Sequence, residues 1–194
     1  MPRAGLDAAA VIEAGAVLAD EIGLDRLSMS VVAERLGVKA PSLYKHVDSL
    51  AALTHGIAVL GATEVGDAVR DATQGRAGGD ALAAAAQALR AYVSRHPGRY
   101  AATTGVRIDG SDDPLGPAIE KTLGSLSAVL RGYRLDAGDE IHALRMLRSL
   151  LHGFATLEAA GGFQLNTDVD DSFLWMIAFL DQGLRGLADG DSGS

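Results

Sequence analysis

The start and stop signals of two short helices joined by a tight turn lie in residues 27–47, LSMSVVAERLGVKAPSLYKHV. Ser28 is an N-cap residue directly before an apolar helical pattern. Gly37 stands where a helix ends in the left-handed region, which glycine adopts at the lowest cost. Pro41 suits the first turn of a second helix, where its missing N–H costs nothing. This arrangement is typical of a helix-turn-helix, whose second helix enters the major groove of DNA.

The charge of the chain is distributed unevenly between this segment and the rest. The whole chain carries a formal net charge of -8, which argues against indiscriminate binding to nucleic acid. Residues 26–46, however, contain four lysine or arginine side chains and one acid, a net charge of +3. Residues 51–194 carry a net charge of -6. A mostly acidic body behind a small basic tip would orient the protein on a polyanion.

Composition excludes several other classes of protein. The chain has 194 residues, 48 % of them hydrophobic, which is enough for a sizeable core. It contains no cysteine, so neither a disulfide nor a thiolate metal site is possible. Acidic residues interrupt the apolar pattern near the N-terminus, which argues against a signal peptide. No uncharged apolar run approaches the roughly 18 residues that a membrane span requires. We therefore expect a soluble cytoplasmic protein without a membrane partner.

Helical spacing of apolar residues runs through almost the whole chain, and no run alternates convincingly as a strand does. We predict an all-α fold with an N-terminal three-helix helix-turn-helix domain, residues 1–48, and a C-terminal helical bundle, residues 49–194. Asp48 can cap the helix that joins the two parts. The predicted helices span residues 5–22, 29–36, 41–47, 48–69, 81–95, 98–105, 114–132, 138–160 and 170–187.

The last two long helices are unusually apolar. One stripe comprises Leu144, Leu147, Leu151, Phe154 and Leu157, and a second comprises Phe173, Ile177 and Leu180. Trp175, Met176 and Phe179 add apolar side chains on the adjoining faces. A helix that is apolar nearly all round must be covered on more than one side. In a chain of this size we expect the second cover to be a partner subunit that offers the same patch.

The helix-turn-helix segment resembles the N-terminal domain of TetR-type transcriptional repressors over roughly residues 5–55. The resemblance rests on Ser28, Leu36-Gly37-Val38, Leu43-Tyr44 and His46-Val47. Farther on, residues 151–154, LHGF, resemble a subclass named for a Trp-His-Gly motif, with leucine in place of the tryptophan. The resemblance implies an all-helical homodimer whose N-terminal head binds DNA. Its C-terminal body would bind a small molecule and mediate dimerisation.

The resemblance also implies which residues contact DNA. The start of the second helix would approach phosphates and neighbouring base edges, while the third helix presents the recognition surface. Leu50 stands where many family members have a lysine, so one phosphate contact is missing and we expect only about four to six counterions to be released per dimer. The predicted DNA-binding residues are Ser28, Met29, Ser30, Lys39, Ala40, Pro41, Ser42, Tyr44, Lys45 and His46.

Candidate ligand-binding residues in the body are mostly apolar, as small-molecule sites are. Each of them also has a simpler interpretation as a core or dimer contact. Arg145, Arg148 and His152 share one helix face, which is either a polar wall of a ligand site or a solvated face paired with carboxylates. The candidates are His142, Met146, His152, Phe154, Phe163, Trp175 and Phe179.

Catalytic motifs are not evident. The chain contains neither a His-Glu-x-x-His zinc motif nor the Glu-x-x-His pairs of dinuclear sites. We therefore expect no metal, no cofactor and no enzymatic activity. The preferred hypothesis is a transcriptional regulator, most simply a repressor that a small-molecule effector releases from operator DNA. The alternative is a helical ligand carrier or enzyme with a vestigial DNA-binding head.

Overall fold

The computed structural model of the chain describes residues 6–190, with side chains up to residue 187. All regular secondary structure in that range is helical and none is strand, which confirms the predicted all-α class. The α-helices are α1 (Ala8–Ile22), α2 (Met29–Leu36), α3 (Ala40–Leu43), α4 (Leu50–Thr73), α5 (Gly78–Arg95), α6 (Pro97–Gly105), α7 (Leu115–Leu130), α8 (Ala137–Ala159) and α9 (Val169–Gly190). Two short 3-10 helices, Leu24–Arg26 and Arg131–Tyr133, were not predicted.

Helix boundaries differ from the prediction around α3 and α4. The predicted helix over residues 41–47 is too long, because α3 ends at Leu43 and residues 44–46 form a turn. The predicted cap Asp48 is wrong: α4 begins at Leu50, and the Ser49 hydroxyl accepts a hydrogen bond from the Ala52 N–H at 3.0 Å. Both residue types can cap a helix, and the hydrogen bond from Ala52 identifies Ser49 as the cap here. The connection left between the predicted helices 48–69 and 81–95 is also too long, because α4 extends to Thr73 and α5 already begins at Gly78.

The described residues form two compact units. The first comprises residues 6–64 and 95–118, and the second comprises residues 65–94 and 119–190. The first unit therefore contains α6 and the first part of α4 in addition to the three predicted helices of the DNA-binding head. The functional division into residues 1–48 and 49–194 stays a prediction.

In the first unit, the start of α6 lies directly against α1. A Cβ at Gly98 would be only 2.1 Å from the carbonyl carbon and oxygen of Ala19, so glycine is required for this approach. The neighbouring Arg99 is 6 % exposed. Its guanidinium bonds Glu13 at 2.7 Å, Asp20 at 3.0 Å and Glu64 at 2.9 Å. These three carboxylates compensate the buried charge and connect α6 to both α1 and α4.

In the second unit, the side chain of Arg90 on α5 plays a similar part. Its guanidinium bonds both Glu158 on α8 and Asp170 on α9. It also lies over the ring of Phe173, 4.6 Å from the ring centroid, and 5.7 Å from that of Phe154. Through ion pairs and cation–π contacts, the Arg90 side chain therefore links α5 to both α8 and α9.

Candidate nucleic-acid interface

The turn between α2 and α3 is built by local hydrogen bonds, as the sequence predicts. The Ser28 hydroxyl accepts a hydrogen bond from the Val31 N–H at 3.3 Å and caps α2. Gly37 ends α2 in the left-handed region, at φ 66° and ψ 30°. The Val38 N–H then donates to the Ala33 carbonyl at 3.0 Å, which closes a Schellman-type turn. The direction of α3 is thus set by residues close to it in sequence.

Apolar anchors in α3 and in the turn that follows it decide which neighbouring residues face outward. Leu43 is fully buried and Val47 is nearly so, and both pack in the core of the first unit. Pro41 lies in the first turn of α3, as predicted, and is exposed. On the outward side, Tyr44 is 50 % exposed and the Lys45 side chain is exposed as well. A hydroxyl, an aromatic ring and an ammonium are therefore offered together, which suits contacts with phosphates and base edges.

The ten predicted DNA-binding residues fall into three groups by exposure. Met29 is the exception among them, because its side chain is only 6 % exposed and belongs to the core. It lies three residues before Val32 on the inner face of α2, so only its backbone N–H remains available to a phosphate. The half-buried members are Ser28, Ala40, Ser42 and His46, and the exposed members are Ser30, Lys39, Pro41, Tyr44 and Lys45.

One of the four cations in this segment is engaged elsewhere. The Arg35 guanidinium forms a two-pronged ion pair with the Glu21 carboxylate at the end of α1, with one of the two hydrogen bonds at 3.2 Å. These hydrogen bonds raise the pKa of Arg35 and lower the pKa of Glu21. This ion pair ties the last turn of α2 to α1. The sequence does not predict it, because the two residues lie 14 positions apart.

Four of the seven predicted ligand-binding residues form two aromatic pairs. Phe154 and Phe163 lie together, with ring centroids 4.8 Å apart. Trp175 and Phe179 form a separate stacked pair with centroids 5.4 Å apart, and they are 69 % and 62 % exposed. His142 and Met146 are exposed on α8, and His152 is half-buried.

Two open depressions lie in the second unit, with volumes of about 620 and 560 Å³. Neither is lined by any of the seven predicted residues. The larger one is formed by the start of α5, the second 3-10 helix and α9, where the Tyr133 hydroxyl donates to Asp181 at 2.6 Å. Within the described range, no cluster of histidine and acidic residues is arranged to hold a metal ion. None of the described helices is both long and apolar enough to cross a membrane.

Comparison with known proteins assigns both parts of the chain to one kind of regulator. Residues 11–55 match the bacterial regulatory proteins of the tetR family, and residues 82–180 match the tetracyclin repressor-like C-terminal domain. The chain is 34 % identical over 182 residues to the uncharacterized HTH-type transcriptional regulator Rv0681 of Mycobacterium tuberculosis, which covers 94 % of this chain and 83 % of that protein.

Two further similarities agree with these matches. YobS of Bacillus subtilis, an uncharacterized HTH-type transcriptional regulator, is 32 % identical over 187 residues, covering 94 % of this chain and 95 % of that protein. A crystal structure of a possible TetR family regulator from Streptomyces coelicolor A3(2) superposes with a TM-score of 0.74 at 23 % identity, covering 93 % of this chain and 100 % of that one. The structural likeness shows that the fold is shared.

Proposed function

Because the chain belongs to the TetR family of bacterial regulatory proteins, we propose that it is a repressor whose dimer binds a palindromic operator and dissociates when a small-molecule effector binds. DNA-binding transcriptional regulation is the activity of the family. The observation that carries the proposal is the outward surface formed by the end of α3 and the turn that follows it, where Tyr44 and Lys45 are exposed opposite the buried anchors Leu43 and Val47. Enzymatic activity is not part of the proposal.

Each exposed group on this surface has a role that DNA chemistry can use. The Tyr44 hydroxyl can donate to a phosphate oxygen, while Lys45 can reach a phosphate or the acceptor edge of guanine. The first N–H groups of α2 lack partners within their own helix, and the neighbouring Ser30 hydroxyl adds another donor for phosphate. Two such heads on one dimer would read half-sites that are about one helical turn, or a multiple of it, apart.

Operator selection from a randomised duplex pool tests the DNA-binding part of the proposal. We expect the wild-type protein to enrich a palindromic sequence. Tyr44→Ala and Lys45→Ala should each weaken binding to the enriched duplex by about 5- to 150-fold, the effect of losing contacts worth about 1–3 kcal/mol. Tyr44→Phe isolates the hydroxyl, and Lys45→Arg retains the charge, so both serve as matched controls. Unaltered binding by both alanine variants would refute the assigned surface.

A second copy of the chain is the proposed cover for the outer faces of α8 and α9. Eight large hydrophobic side chains on these two helices are exposed, far more than isolated apolar residues on an ordinary surface. Trp175 and Phe179 are the two aromatic residues of this group, and their rings stack on each other. They are the side chains best suited to anchor an interface. The eight residues are Ile141, Met146, Leu150, Leu157, Leu174, Trp175, Phe179 and Leu187.

The oligomeric state tests this assignment of the surface. Trp175→Ser combined with Phe179→Ser should convert a dimer into a monomer, measured by sedimentation velocity at micromolar concentration. Leu165→Ser is the matched control, because Leu165 is 88 % exposed but lies in the loop between α8 and α9. Because each subunit would contribute one head, the double variant should also lose most of its operator affinity. A monomeric wild-type protein would overturn the dimer proposal.

The effector site is proposed for the second unit, beside the aromatic cluster of Phe154, Phe163 and Phe173. The ring centroids of Phe154 and Phe173 are 5.1 Å apart, and the Arg90 guanidinium lies over both rings. Apolar walls with one charged group are typical of small-molecule sites. Of the seven residues predicted for ligand binding, this proposal retains Phe154 and Phe163 and assigns Trp175 and Phe179 to the dimer surface instead.

Release from DNA requires an effector that prefers the conformation with lower operator affinity. The helix α4 runs from Leu50 to Thr73 and so contributes to both compact units. We propose that effector binding shifts α4, with a coupling free energy in the usual range of about 1–3 kcal/mol. Screening a metabolite library for compounds that weaken operator binding would identify the effector, and Phe163→Ala should then reduce its affinity more than Leu165→Ala does.

A further inference from the structure

The helix-turn-helix segment contains four cations, but its structure makes them unequal. Arg35 is held by both oxygens of Glu21, whereas Lys39 and Lys45 are exposed on the side that the proposed function assigns to DNA. The fourth cation, Arg26, is the last residue of the 3-10 helix Leu24–Arg26 and is also exposed. Its guanidinium forms no ion pair and no hydrogen bond with any described residue.

The position of Arg26 brings it within reach of a phosphate at the start of α2. It lies two residues before Ser28, and two residues of chain span at most about 7 Å. An arginine side chain covers roughly the same distance. A phosphate that accepts hydrogen bonds from the first turn of α2 would therefore lie within range of the Arg26 guanidinium, which binds phosphate with two parallel hydrogen bonds.

The adjacent acid does not neutralise Arg26. Asp25 turns its carboxylate back toward Gly23, with Oδ1 only 2.6 Å from the position that a Cβ at residue 23 would occupy. Gly23 has φ 90° and ends α1. The Asp25 carboxylate occupies the space that a side chain at residue 23 would need. Among the described residues, Arg26 therefore has no partner, and it lies beside a helix start whose first N–H groups lack partners within the helix.

We propose that Arg26 is a phosphate-binding residue of the DNA interface, and that Arg35 instead braces α2 against α1 through Glu21. The proposal rests on the proposed function, which assigns DNA to this side of α2 and α3. It makes Arg26, Lys39 and Lys45 the three phosphate-binding cations of each subunit, or six in a dimer. Six cations correspond to a slope of about -5 in a plot of log affinity against log salt concentration.

Salt-dependent binding distinguishes the two arginines. Affinity is measured between 50 and 200 mM salt for a duplex enriched by the wild-type protein and for a scrambled duplex of equal length. Arg26→Gln should reduce the magnitude of the slope by about 2, because each dimer loses two cations. Over this fourfold salt range, the wild-type affinity should then fall about 2,000-fold and that of the variant about 150-fold. Arg26→Lys should retain most of the wild-type slope.

Arg35→Gln is the matched control, because it removes the same charge from the same segment. We expect it to leave the slope within about 0.5 of the wild-type value, since its charge is already compensated by Glu21. Arg26→Gln should also weaken binding to the enriched and scrambled duplexes by similar factors, because a phosphate contact carries no sequence information. Circular dichroism at each salt concentration verifies that both variants remain folded.

The possible failures are distinguishable. A wild-type protein that shows no preference for any enriched duplex would overturn the proposed function, and the assignment of Arg26 with it. A clear wild-type preference together with an unchanged slope for Arg26→Gln would overturn the assignment of Arg26 alone. A loss of slope in Arg35→Gln as large as that in Arg26→Gln would show that both arginines bind phosphate and would refute the bracing role of Arg35.

Discussion

Replacing Gly98 by alanine should destabilise the protein by at least about 4 kcal/mol, because α6 then cannot stay in place against α1. The new Cβ would lie 2.1 Å from the carbonyl group of Ala19 and 2.5 Å from the backbone nitrogen of Asp20. These are main-chain atoms of a neighbouring helix, so no side-chain rotation can relieve the clash. To restore an ordinary contact of 3.4 Å, α6 has to move by about 1.3 Å.

This displacement also breaks bonds of the buried Arg99. Its backbone N–H donates to Asp20 at 2.9 Å and its Nε donates to the same carboxylate at 3.0 Å. A shift of this size would take both distances beyond hydrogen-bonding range. Overpacking typically costs about 1–3 kcal/mol, and separating a buried charge from its partner costs about 3–5 kcal/mol. The expected sum is a large fraction of the about 5–15 kcal/mol that stabilises a typical protein.

Urea denaturation followed by circular dichroism provides the measurement, with Gly105→Ala as the control in the same helix. Gly105 is the last residue of α6, and a Cβ there would meet no atom within 4 Å. Its replacement should change stability by less than about 1 kcal/mol. The thermal midpoint of Gly98→Ala should fall by about 8–16 °C. If Gly98→Ala instead proves as stable as Gly105→Ala, the close packing of α6 on α1 is refuted.

Three further predictions concern stability. Arg134→Gly should raise the free energy of unfolding by about 0.5–1 kcal/mol, measured by urea denaturation, because Arg134 is held at φ 58°. Tyr133→Phe should lower that free energy by about 1–2 kcal/mol, measured the same way, because Asp181 loses the hydroxyl that donates to it at 2.6 Å. Two backbone N–H groups, and then His55, lower the pKa of Asp113. Asp113 therefore stabilises the folded state at pH values above its unfolded pKa of about 3.9, and this stabilisation is lost as the pH falls through its lower folded pKa. In acid titrations, Asp113→Asn should therefore lose stability less steeply below pH 4 than the wild-type protein.

The helix-turn-helix could be predicted from sequence because its determinants are local. The cap of α2 at Ser28 and the left-handed turn at Gly37 were both predicted from residue type and spacing, and both are confirmed. Leu43 and Val47 are four residues apart, and this helical spacing agrees with the burial of both side chains. Met29 shows the limit of this reasoning, since a family resemblance places it at the DNA surface while helical periodicity places its side chain inside.

The body is less predictable, because apolar residues there serve the core and exposed surfaces alike. Within one helix, α9, Phe173 is buried whereas Trp175 is 69 % exposed. Hydrophobicity alone could not separate a ligand wall from a subunit contact, and the seven ligand-binding candidates stay a prediction. The depression at the start of α5 also escaped prediction, because it is formed by segments that are distant in the chain.

The sequence by itself determined the helical class, the helix-turn-helix and the sign of its local charge, since these depend on residues within one or two turns of each other. Only the tertiary structure decided which cations remain available and which glycines are indispensable. Arg35 is paired with Glu21 14 residues away, and Gly98 is required by Ala19 in another helix. Both contacts depend on how the helices pack against each other. The spacing of residue types along the chain does not determine the distances between atoms of different helices.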